Sequence, residues 1–129
     1  MMETPILRYE QGTGFIRDLA GAFVSLGWAG NGVHKNNPGA ESIKDCGPLP
    51  RGLYTVGEWH TDHYLGPIAA RLTPHPSNEM FSRDGFWIHG PAEEPRTGQE
   101  SRGCLVITRI GRMKVRDLAP EGSVLEVVA

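Results

Sequence analysis

Two residue types that can carry out nucleophilic catalysis lie at the ends of two short apolar segments. His89 closes Phe86-Trp87-Ile88-His89, and fifteen residues later Cys104 opens Cys104-Leu105-Val106-Ile107. A thiol needs deprotonation to become a strong nucleophile, and a neighbouring imidazole can lower its pKa by forming a thiolate–imidazolium pair. Gly103 allows a tight turn that points backbone N–H groups at a developing oxyanion. The pattern predicts a cysteine–histidine dyad; a cysteine that merely fills the core is the alternative.

Short strands are expected to position this pair. Gly 17 and Pro 10 make up about a fifth of the 129 residues, which favours many short elements joined by tight turns. Segments of strand-like composition recur along the whole chain. They are 5–10, 15–19, 22–28, 53–57, 68–73, 86–89, 103–107 and 124–128. The sequence therefore predicts a single, mainly β domain over residues 1–129.

Two helix starts are recognisable. Asn37 suits an N-cap and Pro38 a first turn, where a missing N–H costs nothing, so a short helix is predicted after Asn37. Thr108 offers a second N-cap, and four residues after it, most of them apolar, are spaced as on one face of a helix. Those positions are Ile110, Met113, Asp117 and Leu118. We expect one helix of about ten residues there. The segment 59–65 is predicted to be a loop.

Charge and hydropathy exclude several classes of partner. The net charge is −2, from 13 basic and 15 acidic residues, which gives no bulk attraction to nucleic acid or anionic membrane. No apolar run reaches the roughly 18 residues that a membrane span needs. The N-terminus shows no basic region followed by an apolar one, so we expect synthesis in the cytoplasm without a Sec-type signal. The chain is expected to be a monomer.

The remaining candidate residues carry weaker signals. Cys46 and Cys104 could form one disulfide, but in a cytosolic chain free thiols are expected, with Cys46 structural. His60 and His63 resemble a metal pair, yet their loop spacing is a weak zinc signal, and we expect neither a metal nor an organic cofactor.

Residues 35–37 and Tyr54 either shape a turn, which we favour, or line a groove. Trp59 lies in a polar loop and is either a core residue or a platform for a sugar.

The combined motifs resemble a known family. His89-Gly90, followed by Ser101-Arg102-Gly103-Cys104, is similar to the signature of the L,D-transpeptidase (YkuD-like) catalytic domain. The segments 32–38 and 47–56 resemble a shorter subgroup found among type VI secretion effectors. The resemblance implies a YkuD-like β-sandwich with one or two short helices.

It also implies a role for each matching residue. Cys104 would attack a stem-peptide carbonyl, His89 would accept the thiol proton, and the Gly90 carbonyl would orient the imidazole. The N–H groups of Gly103 and Cys104 would form the oxyanion hole, and Ser101 would stabilise the loop. Arg102 replaces the second histidine of the larger family. It could bind a substrate carboxylate, which we favour, or promote the thiolate.

The function implied is modification of peptidoglycan tetrapeptide stems. Water would resolve the thioester to give L,D-carboxypeptidase activity, and an amine would give exchange or crosslinking. The effector-like motifs favour an antibacterial toxin that acts in a target cell's periplasm, with a secretion apparatus and an immunity protein as partners. Two alternatives remain open. One is a self-directed cell-wall enzyme, and the other is a non-catalytic wall-binding module of the same fold.

Overall fold

Strands dominate the structure. The computed structural model describes residues 4–91 and 101–129. These residues include one α-helix, α1 (Arg109–Leu118), and two 3-10 turns, Gly32–His34 and Pro38–Ala40. The strands are β1 (Leu7–Glu10), β2 (Phe15–Asp18), β3 (Phe23–Trp28), β4 (Gly52–Val56), β5 (His60–Asp62), β6 (Gly66–Pro74), β7 (Trp87–His89), β8 (Leu105–Ile107) and β9 (Val124–Val128). The prediction of a mainly β fold with short helices is confirmed.

The strands form one sheet that closes on itself. Their order is β4-β9-β1-β2-β3-β8-β7-β6-β5, and an additional pairing of β4 with β6 joins eight of them into a barrel-like ring. β5 lies outside the ring and pairs with β6. The sandwich that the resemblance implies is therefore realised as a single closed sheet, which leaves few unpaired strand edges.

The two strands that carry the candidate dyad are parallel neighbours. Ile88 pairs with Leu105 and His89 pairs with Val106 in the register of β7 and β8. Parallel strands require a long crossover connection, and the fifteen residues from His89 to Cys104 provide it. The spacing between the two motif halves is thus a consequence of the topology.

The core sits on one face of these two strands. Ile88, Leu105 and Ile107 are buried in the main apolar cluster. Because successive side chains of a strand point to opposite faces, His89 and Cys104 both point away from this cluster. A rise of ~3.3 Å per residue and a strand spacing of ~4.8 Å place the two Cα atoms about 8 Å apart, diagonally across the pair.

Both predicted helix caps are present. The Asn37 side chain accepts a hydrogen bond from the Gly39 N–H at 3.1 Å, and the Thr108 hydroxyl accepts one from Gly111 at 3.3 Å. α1 buries Gly111, Arg112 and Val115.

The apolar residues that indicated this helix lie on its exposed side, with Ile110 70% exposed. Close packing against the sheet explains why α1 buries a different face from the one that its apolar residues indicated. A Cβ at position 111 would lie 2.6 Å from Ile107 Cγ2, so glycine is what lets α1 approach the sheet.

The prediction of a loop over residues 59–65 is partly wrong. His60–Asp62 forms β5, a strand at the end of the sheet. Its residues are polar and lack the alternation of apolar side chains by which a half-buried strand is recognised. The connection between the two halves of the motif falls outside the described residues from position 92 to position 100.

Candidate active site

The Cys104 thiol lies half-buried immediately before β8. It donates a weak hydrogen bond to the Gly85 carbonyl, with an Sγ–O distance of 3.8 Å. Burial raises the pKa of Cys104, whereas a hydrogen bond from the Trp87 backbone and the charge of Arg83 act in the opposite direction. The thiol is therefore predominantly protonated at neutral pH.

His89 is held in one tautomer. Its ring is only 8% exposed, and Nδ1 lies 2.8 Å from the Gly90 carbonyl oxygen. A carbonyl can only accept a hydrogen bond, so Nδ1 carries the proton and Nε2 is left as a proton acceptor. This is the orientation by Gly90 that the sequence resemblance implies. Burial lowers the pKa of His89, the charge of Arg112 lowers it further, and the Gly90 hydrogen bond and Asp62 oppose the change.

At neutral pH the surroundings of both groups favour their neutral forms. Burial raises the pKa of Cys104 and lowers the pKa of His89, so both changes disfavour the charged forms. Within the described residues, the hydrogen bonds of the dyad join Cys104 to Gly85 and to the Trp87 backbone, and His89 to Gly90, and none joins the two side chains. A resting thiolate–imidazolium pair, the means of activation considered from the sequence, therefore does not describe this state. Activation requires proton transfer as the nucleophile attacks.

Ser101 organises the turn that carries the nucleophile. Its hydroxyl donates to the Cys104 carbonyl at 2.6 Å and accepts from the N–H groups of Gly103 and Gly30, each at 3.0 Å. The Asn31 side chain in turn donates to the Ser101 carbonyl at 2.8 Å. Ser101 is 2% exposed, so these bonds are shielded from water. The hydrogen-bonding role implied for Ser101 agrees with this geometry.

Gly103 has a conformation that other residues rarely adopt. Its φ is +122°, and a Cβ there would lie 2.6 Å from the Phe86 ring. The turn therefore needs glycine. The Gly103 N–H, however, donates to the Ser101 hydroxyl and does not point freely at an oxyanion. The oxyanion role implied for this group is not met in the structure, because the serine that stabilises the turn already uses the donor.

Arg102 is on the surface. Its side chain is exposed, and the hydrogen bonds and ion pairs among the described residues include none from its guanidinium. The backbone carbonyl of Arg102 instead accepts a hydrogen bond from Arg83. The positive charge that acts on the Cys104 thiol is that of Arg83. The role of Arg102, whether thiol tuning or substrate binding, stays a prediction.

Two buried arginines beside the dyad were not predicted. Arg83 binds backbone carbonyls next to the turn of Cys104, and Arg112 donates to the Pro67 carbonyl at 2.9 Å. The Arg112 guanidinium also packs against Gly90, where a Cβ would lie 2.6 Å from its carbon. Neither arginine carries a local sequence signal. Arg83 stands in a polar segment, and Arg112 lies off the apolar face that indicated α1.

The weaker candidates have structural roles. The side-chain Oδ1 of Asn36 accepts from the Tyr9 hydroxyl and from the Ala29 N–H, and Asn36 has a φ of 52°, as a turn residue does. The Tyr54 hydroxyl, which is buried, donates to the Pro50 carbonyl at 2.6 Å. These contacts agree with the favoured prediction that residues 35–37 and Tyr54 shape the chain.

The aromatic and metal candidates are explained in the same way. The Trp59 indole N–H donates to the Ala119 carbonyl at 2.8 Å, and its partly buried ring packs against the core, which agrees with the prediction of a core residue. His60 Nε2 lies 3.5 Å from an oxygen of Asp62. Among residues 4–91 and 101–129, His, Cys, Asp and Glu side chains do not gather in groups of three or more that could hold a metal ion. Both Cys46 and Cys104 are free thiols.

Comparison with known proteins identifies the family. The family model of the Tlde1 domain matches residues 24–127, which is most of the chain and includes both halves of the dyad motif. The chain belongs to the Tlde1 domain family. This is a family of type VI secretion effectors, in agreement with the effector resemblance in the sequence. No curated protein matches the chain.

Family membership fits a secreted protein. In the part of the chain that the structure describes, α1 is ten residues long, and no helix has the length and apolar character needed to cross a membrane.

Proposed function

We propose that this Tlde1-family protein is a cysteine-dependent enzyme that acts on peptidoglycan tetrapeptide stems. The observation that carries the proposal is the fixed tautomer of His89, whose Nε2 can accept a proton, has no hydrogen-bond partner among the described residues and lies on the same strand face as Cys104. A buried core histidine has no need of a free acceptor nitrogen beside a half-buried thiol. The resemblance of the Ser101-Arg102-Gly103-Cys104 motif to L,D-transpeptidases supports the substrate class.

The first half-reaction follows from this arrangement. Cys104 transfers its proton to His89 Nε2, and its sulfur attacks the carbonyl between the third stem residue and the terminal D-Ala. The Nδ1–H bond to Gly90 stabilises the imidazolium that forms. The C–N bond then breaks, the imidazolium protonates the departing amine, and a thioester to Cys104 remains. Because both groups start neutral, the charged pair exists only while substrate is being attacked.

The second half-reaction depends on the acceptor. His89, neutral again, takes a proton from water or from an amine as that group attacks the thioester carbonyl. The C–S bond then breaks, and the imidazolium returns the proton to the Cys104 sulfur, which restores the neutral pair. Water yields a tripeptide stem, which is L,D-carboxypeptidase activity. A free D-amino acid yields an exchanged stem, and the side-chain amine of another stem yields a 3–3 crosslink. Action in the periplasm of a target cell, and partnership with an immunity protein, belong to this proposal.

A non-catalytic wall-binding module is a second candidate, because the neutral dyad makes no direct hydrogen bond in the described residues. A carbapenem that acylates activated cysteines separates the two candidates. The enzyme is expected to gain one carbapenem mass on Cys104, and a binding module is expected to gain none.

The test of the reaction is digestion of purified tetrapeptide muropeptides with separation and weighing of the products. We expect tripeptide, or exchanged stems when a D-amino acid is added. Cys104→Ala is expected to abolish the products and to retain the native circular dichroism spectrum. Cys46→Ser serves as the matched thiol control. Normal product formation by Cys104→Ala would exclude Cys104 as the nucleophile.

A further inference from the structure

Arg83 is a charged side chain in a place where charges are rarely found. It lies between β6 and β7 and is 5% exposed. Its guanidinium donates to four backbone carbonyls. These are the carbonyls of Glu41, Pro48 at 2.8 Å, Gly47 at 2.9 Å and Arg102 at 3.1 Å. Burying a guanidinium is costly, and these bonds offset the desolvation.

The four carbonyls come from two separate segments. Three belong to the turn that ends at Pro48, and the fourth belongs to the turn that carries Cys104. One planar group therefore holds the two segments together. Only a guanidinium offers five donors in a rigid plane, which suits it to bind several carbonyls at once.

Arg83 also defines the space around the residue before the nucleophile. Its guanidinium stacks on the Phe86 ring, 5.2 Å from the centroid. A Cβ on Gly103 would lie 2.5 Å from an Arg83 nitrogen and 2.6 Å from the Phe86 ring. Arg83 and Phe86 thus form the surface against which the turn of Cys104 is packed.

The charge of Arg83 has no carboxylate partner among the ion pairs of the described residues. Carbonyl oxygens satisfy its donors without neutralising its charge. The neighbouring groups that would raise the pKa of Arg83 when negatively charged are Tyr54, Asp45, Cys46 and Cys104. A negative charge formed on Cys104 would therefore be stabilised by a fixed positive charge that the exposed Arg102 cannot supply from solvent.

We propose that Arg83 is a positioning residue for Cys104, which fixes the nucleophile turn through the Arg102 carbonyl and stabilises the thiolate formed during attack. His89 accepts the proton, and Arg83 compensates the charge that the proton leaves behind. The effect on turnover rests on the proposed function. The effect on thiol reactivity does not, and it can be measured without any substrate.

The test compares Arg83→Gln with Arg83→Lys, both in a Cys46→Ser background so that Cys104 is the only thiol. Glutamine keeps some hydrogen-bond donors and loses the charge, whereas lysine keeps the charge and loses the planar fork. Arg8→Gln is the matched control, because Arg8 makes an exposed ion pair with Glu126. Because burial already raises the pKa of Cys104, the rate of iodoacetamide alkylation is measured from pH 7 to pH 12, with circular dichroism at each pH as the check on folding.

We expect Arg83→Gln to move the alkylation midpoint upward by about one pH unit, the shift that loss of a close opposite charge produces. Arg83→Lys is expected to keep the midpoint close to that of the wild-type protein, because it retains the charge. Arg8→Gln is expected to leave the midpoint unchanged. A folded Arg83→Gln protein with the wild-type midpoint would overturn the proposal.

Arg83→Lys decides alone if Arg83→Gln does not fold. The retained charge predicts a midpoint within about 0.3 units of wild type, and a shift as large as one unit would overturn the proposal. The loss of the fork predicts a fall of at least about tenfold in kcat/KM on tetrapeptide stems. If the wild-type protein had no activity on tetrapeptide stems but Arg83→Gln still shifted the alkylation midpoint, the proposed function would be refuted and the inference about Arg83 would stand.

Discussion

Removal of the Ser101 hydroxyl is expected to destabilise the protein and to disable Cys104. The hydroxyl makes three hydrogen bonds in a site that is 2% exposed, to the Cys104 carbonyl and from the N–H groups of Gly103 and Gly30. A buried hydrogen bond contributes about 1 kcal/mol net, so Ser101→Ala should lower the free energy of unfolding by about 3 kcal/mol. With an unfolding entropy of ~2.1 cal/mol/K per residue over 129 residues, the corresponding fall in Tm is about 11 °C.

Thermal unfolding followed by circular dichroism measures this change. Ser77→Ala is the matched control, because the exposed Ser77 hydroxyl bonds only locally, to His75 at 2.7 Å, and its loss should move Tm by about 2 °C or less. We also expect Ser101→Ala to slow carbapenem acylation of Cys104 by at least about tenfold, since the turn loses its internal bonds. A Tm within 4 °C of wild type, together with an unchanged acylation rate, would refute this view of Ser101 as the organiser of the turn.

Four further predictions follow from the site. Arg102→Ala should leave iodoacetamide alkylation of Cys104 unchanged and reduce kcat/KM on tetrapeptide stems by about tenfold; unchanged kinetics would show that Arg102 merely faces solvent. Cys46→Ser should keep most activity, and a loss of activity with a native circular dichroism spectrum would make Cys46 part of the site. Because burial lowers the pKa of His89 and the neutral ring is the base, the acid limb of kcat/KM should have its midpoint below about 6.5; a midpoint above 7 would contradict the buried neutral ring. Expression directed to the periplasm should damage cells that tolerate the protein in the cytoplasm, whereas equal toxicity in both compartments would exclude peptidoglycan as the target.

The sequence predicts the elements wherever local signals decide them. The caps at Asn37 and Thr108 are correct because each depends on one side chain and the N–H two or three residues later. The apolar segments that became β7 and β8 are also correct, since burial on the core face requires their composition. β5 escaped prediction because its polar residues are held by pairing with β6 and not by an apolar face of their own.

The environment of the dyad is beyond what a linear pattern can indicate. The motif identifies His89 and Cys104, but whether they rest as ions or as neutral groups depends on burial, which the packing of distant segments sets. Arg83 reaches carbonyls more than thirty residues away in the chain at Gly47 and Pro48. Arg102, which belongs to the motif, was the obvious source of positive charge, yet its side chain lies in solvent.

The central claim is that Cys104 forms a thioester with the stem peptide. Its most direct test is the intact mass of the protein after acid quenching during turnover of a tetrapeptide muropeptide. We predict a species heavier than the free protein by the acyl mass of the tripeptide muropeptide, with the adduct on the tryptic peptide that contains Cys104 and absent from Cys104→Ala. Release of D-Ala at the wild-type rate by Cys104→Ala, or an adduct located on another residue, would contradict the claim.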